Sequence, residues 1–313
     1  MHIIDKILSS SFFENQPPVL VDIGASGEIN AKWKAIAPYA VCIAFDADDR
    51  EFNVTETTAA GYKKLITVNR IVTAATTQTA DFYLTASPFC SSLLPPLIDK
   101  LSPWIFQSLF TVEKKIQLPA VTVANALQQA NIKYVDWFKT DTQGTDLRLF
   151  LSTPEAIRQN ILAAEFEPGI IDAYEGEDKL YSILQILPQQ GFWLSSMEVK
   201  GTQRLHASYA NKLGKFAASR SIRRSPCWSE LTYLRNTFTT NQRNLLLLFV
   251  FALLERQYGF ALELVDFATQ QYQDTIFAEA KKAVLKKIQT EKLKLPLVMV
   301  KKQFNKLFAT INA

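Results

Sequence analysis

Four short segments carry residues whose types and spacing can do chemistry: VDIGASG at 21–27, AFDAD at 44–48, FKTDTQGTD at 138–146 and EFE at 165–167. The first joins an apolar run, Val19 to Ile23, to two glycines, which is how a buried strand enters a ligand-binding turn. Gly24 and Gly27 stand three apart with no third glycine, so the turn lacks the GxGxxG on which a dinucleotide pyrophosphate rests, and no GxxxxGK[ST] occurs. Asp22, beside the turn, would repel a phosphate, whereas it can accept a hydrogen bond from an ammonium group. S-adenosylmethionine carries such an ammonium and no phosphate. Asp46, at the end of the second apolar run, Ala40 to Phe45, is then set to accept from ribose hydroxyls. The plainer alternative is that Asp22 caps a turn and Asp46 a helix.

The elements around these segments follow a βαβ rhythm. Trp33, Ile36 and Ala37 recur at helical spacing after Glu28 or Asn30 and stop at Pro38 and Tyr39. A helix is expected over 49–62, closed by Gly61, and strands over 65–72, 79–86 and 134–138, with 112–121 extended. Helices are expected over 97–110, 122–131 with Thr122 as cap, 145–160 and 176–190, and strands over 161–166, 192–199 and 228–235. The segment SPFCSSLLPP reads as a loop that could fold over a site. About seven strands interleaved with helices argue a mostly parallel sheet covered on both faces, its closing pair antiparallel. From Asn241 onward only helical periodicity remains, with helices expected at Leu245–Glu255, Ala261–Tyr272, Ile276–Lys287 and Val298–Phe308.

With 313 residues, 48% hydrophobic and 20% charged, the chain has the composition of an ordinary globular protein, which excludes global disorder and fibrous repeats. Cys42, Cys90 and Cys227 are odd in number and widely spaced, so neither a disulfide framework nor a zinc site is indicated. A reducing, cytoplasmic setting fits them. The N-terminus carries Asp5 and Glu14 and no basic-then-apolar sequence, so it reads as a short leading helix rather than a signal peptide. Leu245 to Leu254 is the longest apolar run and is far short of the ~20 residues of a membrane span. The formal charge of +4 is uneven: residues 281–306 hold nine lysines against Glu291, a net of +8 that leaves −4 elsewhere. That stretch reads as a solvated helix face, with peripheral contact to an anionic membrane as the minority reading; without an aromatic-interleaved RNA motif, nucleic acid is disfavoured.

VDIGASG, AFDAD, FKTDTQGTD, the segment ILAAEFEPGIIDAYEG and the Gly191-Phe192 pair resemble, in order and spacing, the FkbM family of S-adenosylmethionine-dependent methyltransferases. That family's pattern runs roughly VDIGAxxG, FEPD, KxDxxGxE, ExE and GF, and the likeness spans about residues 17–236. Departures are Asp46 where Glu is usual, Ala47 where Pro is usual, and Asp146 where Glu is usual; the last reaches about one carbon less far. The resemblance implies an α/β fold, a Rossmann-like class I methyltransferase sheet, over residues 1–236, with 237–313 as a helical C-terminal extension outside it. It implies bound S-adenosylmethionine, held by Asp22, Gly24, Ala25, Gly27, Asp46 and Ala47, and O-methylation of a saccharide, polyketide or other secondary metabolite.

Methyl transfer from a sulfonium needs acceptor oxygen and methyl carbon in line, and a hydroxyl acceptor must lose its proton. Asp141 is the first candidate, because it follows a strand at the carboxyl edge where open α/β sheets bind ligands, with Asp146 five residues on. Glu165 and Glu167, two apart on a strand, share a face and could join Asp141 in orienting hydroxyls or holding a divalent cation through oxygen ligands. An ion pair between Glu165 and Lys139 fits Glu165 equally well. His206 is the one histidine outside the terminus, and a surface place in a polar turn is the more economical reading of it. Trp33, Trp137 and Phe138 read as core. A different class of function, a non-catalytic methyltransferase-fold scaffold working through its helical tail in a polysaccharide or cell-surface assembly, is the alternative.

Overall fold

Val19 to Ile23 is apolar at every position but Asp22, and such a strand is stable only inside a sheet covered on both faces. The computed structural model describes residues 2–25, 30–45, 61–236, 238 and 241–311, with side chains for all of these but 215, 219 and 294–311. In it β1 (Val19–Ile23) is buried along its whole length. The other strands are β2 (Val41–Phe45), β3 (Lys64–Val68), β4 (Ile71–Val72), β5 (Thr79–Thr85), β6 (Val112–Val121), β7 (Trp137–Thr140), β8 (Ala163–Phe166), β9 (Phe192–Gln203) and β10 (Arg224–Arg235).

Seven of them form one sheet in the order β3-β2-β1-β7-β8-β10-β9. Pairing is parallel from β3 across to β8, while β10 runs antiparallel to both β8 and β9. The expected mostly parallel α/β sheet with an antiparallel closing strand is therefore present. Side chains alternate between two cores. Val19, Val21, Ile23, Ile43, Phe45 and Phe138 share one large apolar cluster. On the opposite side Trp33 meets Trp137 edge-on at 6.0 Å, both fully buried, as core residues should be.

Several expected elements differ in extent or sheet. The strand expected over 65–72 divides at Asn69-Arg70 into β3 and β4, and β4 belongs to a second, three-stranded sheet, β4-β6-β5. The helix expected before Pro38 is two 3₁₀ turns, Trp33–Ala35 and Ala37–Tyr39, in the described part. Most of the helix expected over 49–62 lies outside the described residues. Over 97–110 only Ile98–Leu101 is α-helical, followed by a 3₁₀ turn at Gln107–Phe110. The expected 145–160 helix breaks at Thr153-Pro154, where proline offers no amide to continue it, into Asp146–Ser152 and Glu155–Arg158. Thr122 caps Val123–Gln129 as expected, its hydroxyl accepting from the Asn125 amide at 3.2 Å.

The closing strand is fastened by a buried cation. Arg235 lies 4.0 Å over the Phe192 ring and donates to the carbonyls of Ile161, Gln190 and Arg158 at 2.8, 2.6 and 2.8 Å. Its burial lowers the guanidinium pKa to about 10, which still leaves it charged at neutral pH.

The chain divides into two units, residues 11–237 and a second built from 1–10 with 238–313. The second is helical: His2–Leu8, Gln242–Leu254, Tyr258–Gln271 and Thr275–Ile311. The leading helix belongs to it, with Lys6 paired to Glu279. Gln242–Leu254 is buried almost all round, hence its lack of a polar face. The two helices expected at 276–287 and 298–308 run as one. Among the described residues no helix is long and apolar enough to cross a membrane.

Candidate functional site

β1 is where the strand order reverses, with β2 and β3 on one side and β7 and β8 on the other, and such a point opens a crevice at the carboxyl ends of the strands. VDIGA and FKTDTQGTD meet there. Asp141 donates its amide to the Ile23 carbonyl at 2.9 Å, and the Gly24 and Ala25 amides donate to the Phe45 carbonyl at 3.1 and 3.0 Å. Gly24 has φ +82°, and a Cβ at that position would stand 2.1 Å from the Asp141 carbonyl oxygen. Glycine is thus demanded twice, by the left-handed backbone and by the approach of β7.

Beneath the turn, Asp22 and Lys139 sit side by side on β1 and β7, their register partners. Lys139 Nζ donates to Asp22 Oδ1 at 2.7 Å. Burial works against the ammonium, but Asp22, then Asp141 and Glu165, hold its pKa above the ordinary lysine range. The ammonium that Asp22 meets within the chain is therefore that of Lys139. Lys139 takes Asp22 rather than Glu165, while Glu165 pairs with Lys32 at 3.1 Å and Lys32 also donates to Thr232 Oγ1 at 2.7 Å.

The turn after β7 winds tightly, with Gln143 at φ 55° and Gly144 at φ 113°. Asp146 opens the following helix and folds its carboxylate back. Its Oδ1 accepts from the Thr142 amide at 3.0 Å and hydroxyl at 2.5 Å, and its Oδ2 accepts from the Glu167 amide at 2.7 Å. Both oxygens of this buried side chain are engaged, so it braces the turn against the segment after β8. Burial is the largest influence on its pKa, which rises to about 6 in spite of those donors.

That brace sets Glu167 next to Asp141. Burial, then the charges of Asp141 and Asp146, push the Glu167 pKa up to about 9, and its side chain hydrogen-bonds to Asp141. Glu167 is therefore protonated at neutral pH and donates to the Asp141 carboxylate. Gln143 Nε2 donates to Asp141 Oδ1 at 2.8 Å from the other side. Tyr174 completes the chain, its hydroxyl lying 3.3 Å from Gln143 Oε1 and 2.8 Å from the Cys90 carbonyl. Gln143, Tyr174 and Asp146 thus hold Asp141 and Glu167 as one proton-sharing carboxyl pair.

Glu167 and Gln143 line a cleft of about 270 Å³ whose walls include Phe106, Phe110, Tyr174 and Trp228. The SPFCSSLLPP segment borders this region: Phe89 and Cys90, in a 3₁₀ turn at Pro88–Cys90, line the cleft, and Ser92 Oγ donates to the Gln143 carbonyl at 2.7 Å. The cleft can take a ligand with apolar faces and present its polar edge to Glu167.

Of the expected site residues, Asp22, Gly24, Ala25, Asp141 and Asp146 are gathered at the ends of β1 and β7, with Glu165 on β8 beside β7 and joined to Lys32. His206 is apart: it is exposed, caps Ala207–Leu213 by accepting from the Ser208 amide at 3.3 Å, and lines a separate groove with Arg204 and Tyr209. Gly27, Asp46 and Ala47 lie outside the described residues. Among the described residues no group of three or more His, Cys, Asp and Glu is arranged to hold a metal ion.

No family model, curated protein or solved structure matches this chain.

Gln143, Tyr174 and Lys32 are not among the residues to which the motifs point. Gln143 sits inside FKTDTQGTD, and a polar residue just before a glycine in a turn was a usable signal. Nothing local marks Tyr174 or Lys32, whose partners lie 31 and 133 residues away.

Proposed function

We propose that the chain is an S-adenosylmethionine-dependent methyltransferase that methylates a hydroxyl of a saccharide or secondary metabolite, as its resemblance to the FkbM family implies. What carries the reading is the meeting of the Gly24 turn with Asp141 at the point where the strand order reverses, because it joins the two most telling segments of that resemblance in one crevice. The mostly parallel seven-stranded sheet is compatible with a methyltransferase sheet.

The residues present suit the cofactor. Gly24 lets the turn close onto the end of β7, and the Asp22–Lys139 pair beneath it offers a carboxylate for an ammonium and an ammonium for a carboxylate, the two charges of an aminoacyl group. When bound, the cofactor supplies a methyl group activated on sulfonium sulfur. The chain's own contribution is to place the acceptor and to move its proton. Aromatic walls formed by Phe106, Phe110 and Trp228 suit the apolar face of a sugar ring or a macrocycle. Glu167 takes the acceptor hydroxyl proton while its own proton passes to Asp141, so the pair goes from one proton to two and from one negative charge to none. The pair would thus end neutral, holding the proton that the acceptor hydroxyl gives up.

Incubation with methyl-labelled S-adenosylmethionine and a panel of saccharides and hydroxylated metabolites tests this. Alkali-stable label, as in an ether, is expected in at least one acceptor, and Glu167→Gln should slow the transfer by about 100-fold. Label confined to alkali-labile esters or to nitrogen, or equal rates in the two proteins, would contradict it.

A further inference from the structure

From Val199 to Ser229 the chain contains seven Lys and Arg residues and no Asp or Glu. Lys200 is neutralised locally by Glu198 and Glu230 at 2.8 and 3.3 Å. Arg204, Lys212, Arg220, Arg223 and Arg224 are exposed, and among the described residues none of them forms an ion pair.

The same stretch folds into two short helices, Ala207–Leu213 and Lys215–Ser221, joined at Gly214 with φ +80°. They expose large apolar side chains: Phe216 is 76%, Tyr209 59% and Leu213 56% accessible. Tyr209 and Leu213 are four apart and so share a helix face. Lys212 lies over the Tyr209 ring at 5.8 Å and Arg220 over the Phe216 ring at 5.5 Å. Each large ring thus carries a cation beside it. Apolar side chains of this size, rimmed by cations and free of acids, match the boundary between acyl chains and anionic headgroups.

We infer that residues 199–224 form a docking face for an anionic lipid bilayer, with Tyr209, Leu213 and Phe216 entering the interface and the arginines meeting the headgroups. A bilayer suits this face better than nucleic acid because Leu213 has no ring to stack on a base and is as exposed as Tyr209. The face also borders the aromatic cleft. Arg224, Gly201 and Trp228 line both that cleft and an adjoining surface groove of about 420 Å³. Docking would bring the cleft mouth to the membrane surface, whether or not the protein transfers methyl groups.

Co-sedimentation of the full chain with vesicles of phosphatidylcholine, with and without phosphatidylserine, tests the inference. Binding is expected on the anionic vesicles and little on the neutral ones. Leu213→Ser with Phe216→Ser should lower the bound fraction at least about fivefold, and Arg220→Gln with Arg223→Gln about threefold, with unchanged melting curves. Lys281→Gln with Lys282→Gln, in the basic terminal helix, should change it less than either. Absence of binding to anionic vesicles, or equal binding by wild type and the Leu213/Phe216 variant, would overturn the inference. So would binding to single-stranded oligonucleotide that depends on Arg220 and Arg223 while vesicle binding does not, or vesicle binding lost only in the Lys281/Lys282 variant.

Discussion

In Gly24→Ala the folded state is expected to lose about 3 kcal/mol or more, read as a lower urea midpoint with an unchanged denaturant slope. Two effects add. At φ +82° an L side chain is strained, which costs about 1–2 kcal/mol. The new Cβ would also stand 2.1 Å from the Asp141 carbonyl oxygen, a backbone atom that cannot rotate away. Relief requires the ends of β1 and β7 to part, which breaks the hydrogen bond from the Asp141 amide to the Ile23 carbonyl. Gly176→Ala separates the two terms, because Gly176 has φ +65° with nothing within 4 Å of the Cβ. It should show the conformational cost alone. Equal midpoints for Gly24→Ala and wild type would mean that β1 and β7 are not held so closely.

Glu167→Gln is expected to change how stability depends on pH. The side chain has an ordinary pKa of 4.5 in the unfolded chain and one of about 9 in the folded chain. A carboxyl whose folded pKa is raised makes the folded state bind the extra proton. Its contribution is full below about 4.5 and is lost as pH rises through the folded value. Asp146 acts in the same direction only between its ordinary 3.8 and about 6, so the window from about pH 6.5 to 8.5 belongs to Glu167. Across it wild type should lose roughly 2 kcal/mol, while Glu167→Gln, whose amide can still donate to Asp141, should stay level. Above pH 8 the variant should be the more stable protein. Parallel pH profiles from urea denaturation would contradict the shared-proton pair.

How much of this was legible in the sequence depended on how local the cause was. The inner strands β1, β2, β7 and β8 announce themselves as apolar runs because they are buried on both faces, and Thr122 announces a helix start by its own hydroxyl. Which sheet a strand joins is a matter of distant pairing, so Ile71-Val72 reads as a continuation of Lys64–Val68 although it pairs with β6. The same limit applies to charges. That Lys139 needs a carboxylate follows from its apolar neighbours, but Asp22 on β1 and Glu165 on β8 are both its register partners, and it is the distant Lys32, by pairing with Glu165, that leaves Asp22 to Lys139. Asp146 was recognisable as a motif residue, whereas its role as a brace depends on the Glu167 amide arriving from the segment after β8. Glu167 differs from Glu165 for the same reason: one lines the cleft beside Asp141, the other reaches Lys32, although they are two residues apart. His206 carried a chemistry its position does not use, because its imidazole caps a helix on the exposed 199–224 stretch.

Titration calorimetry of the folded wild-type chain with S-adenosylhomocysteine tests the central claim most directly, because it needs no knowledge of the acceptor. The account predicts saturable binding at one site per chain, weakened at least about tenfold in Asp22→Asn, where the charge offered to the aminoacyl ammonium is removed. A wild-type chain that is cooperatively folded and gives no saturable heat would contradict it.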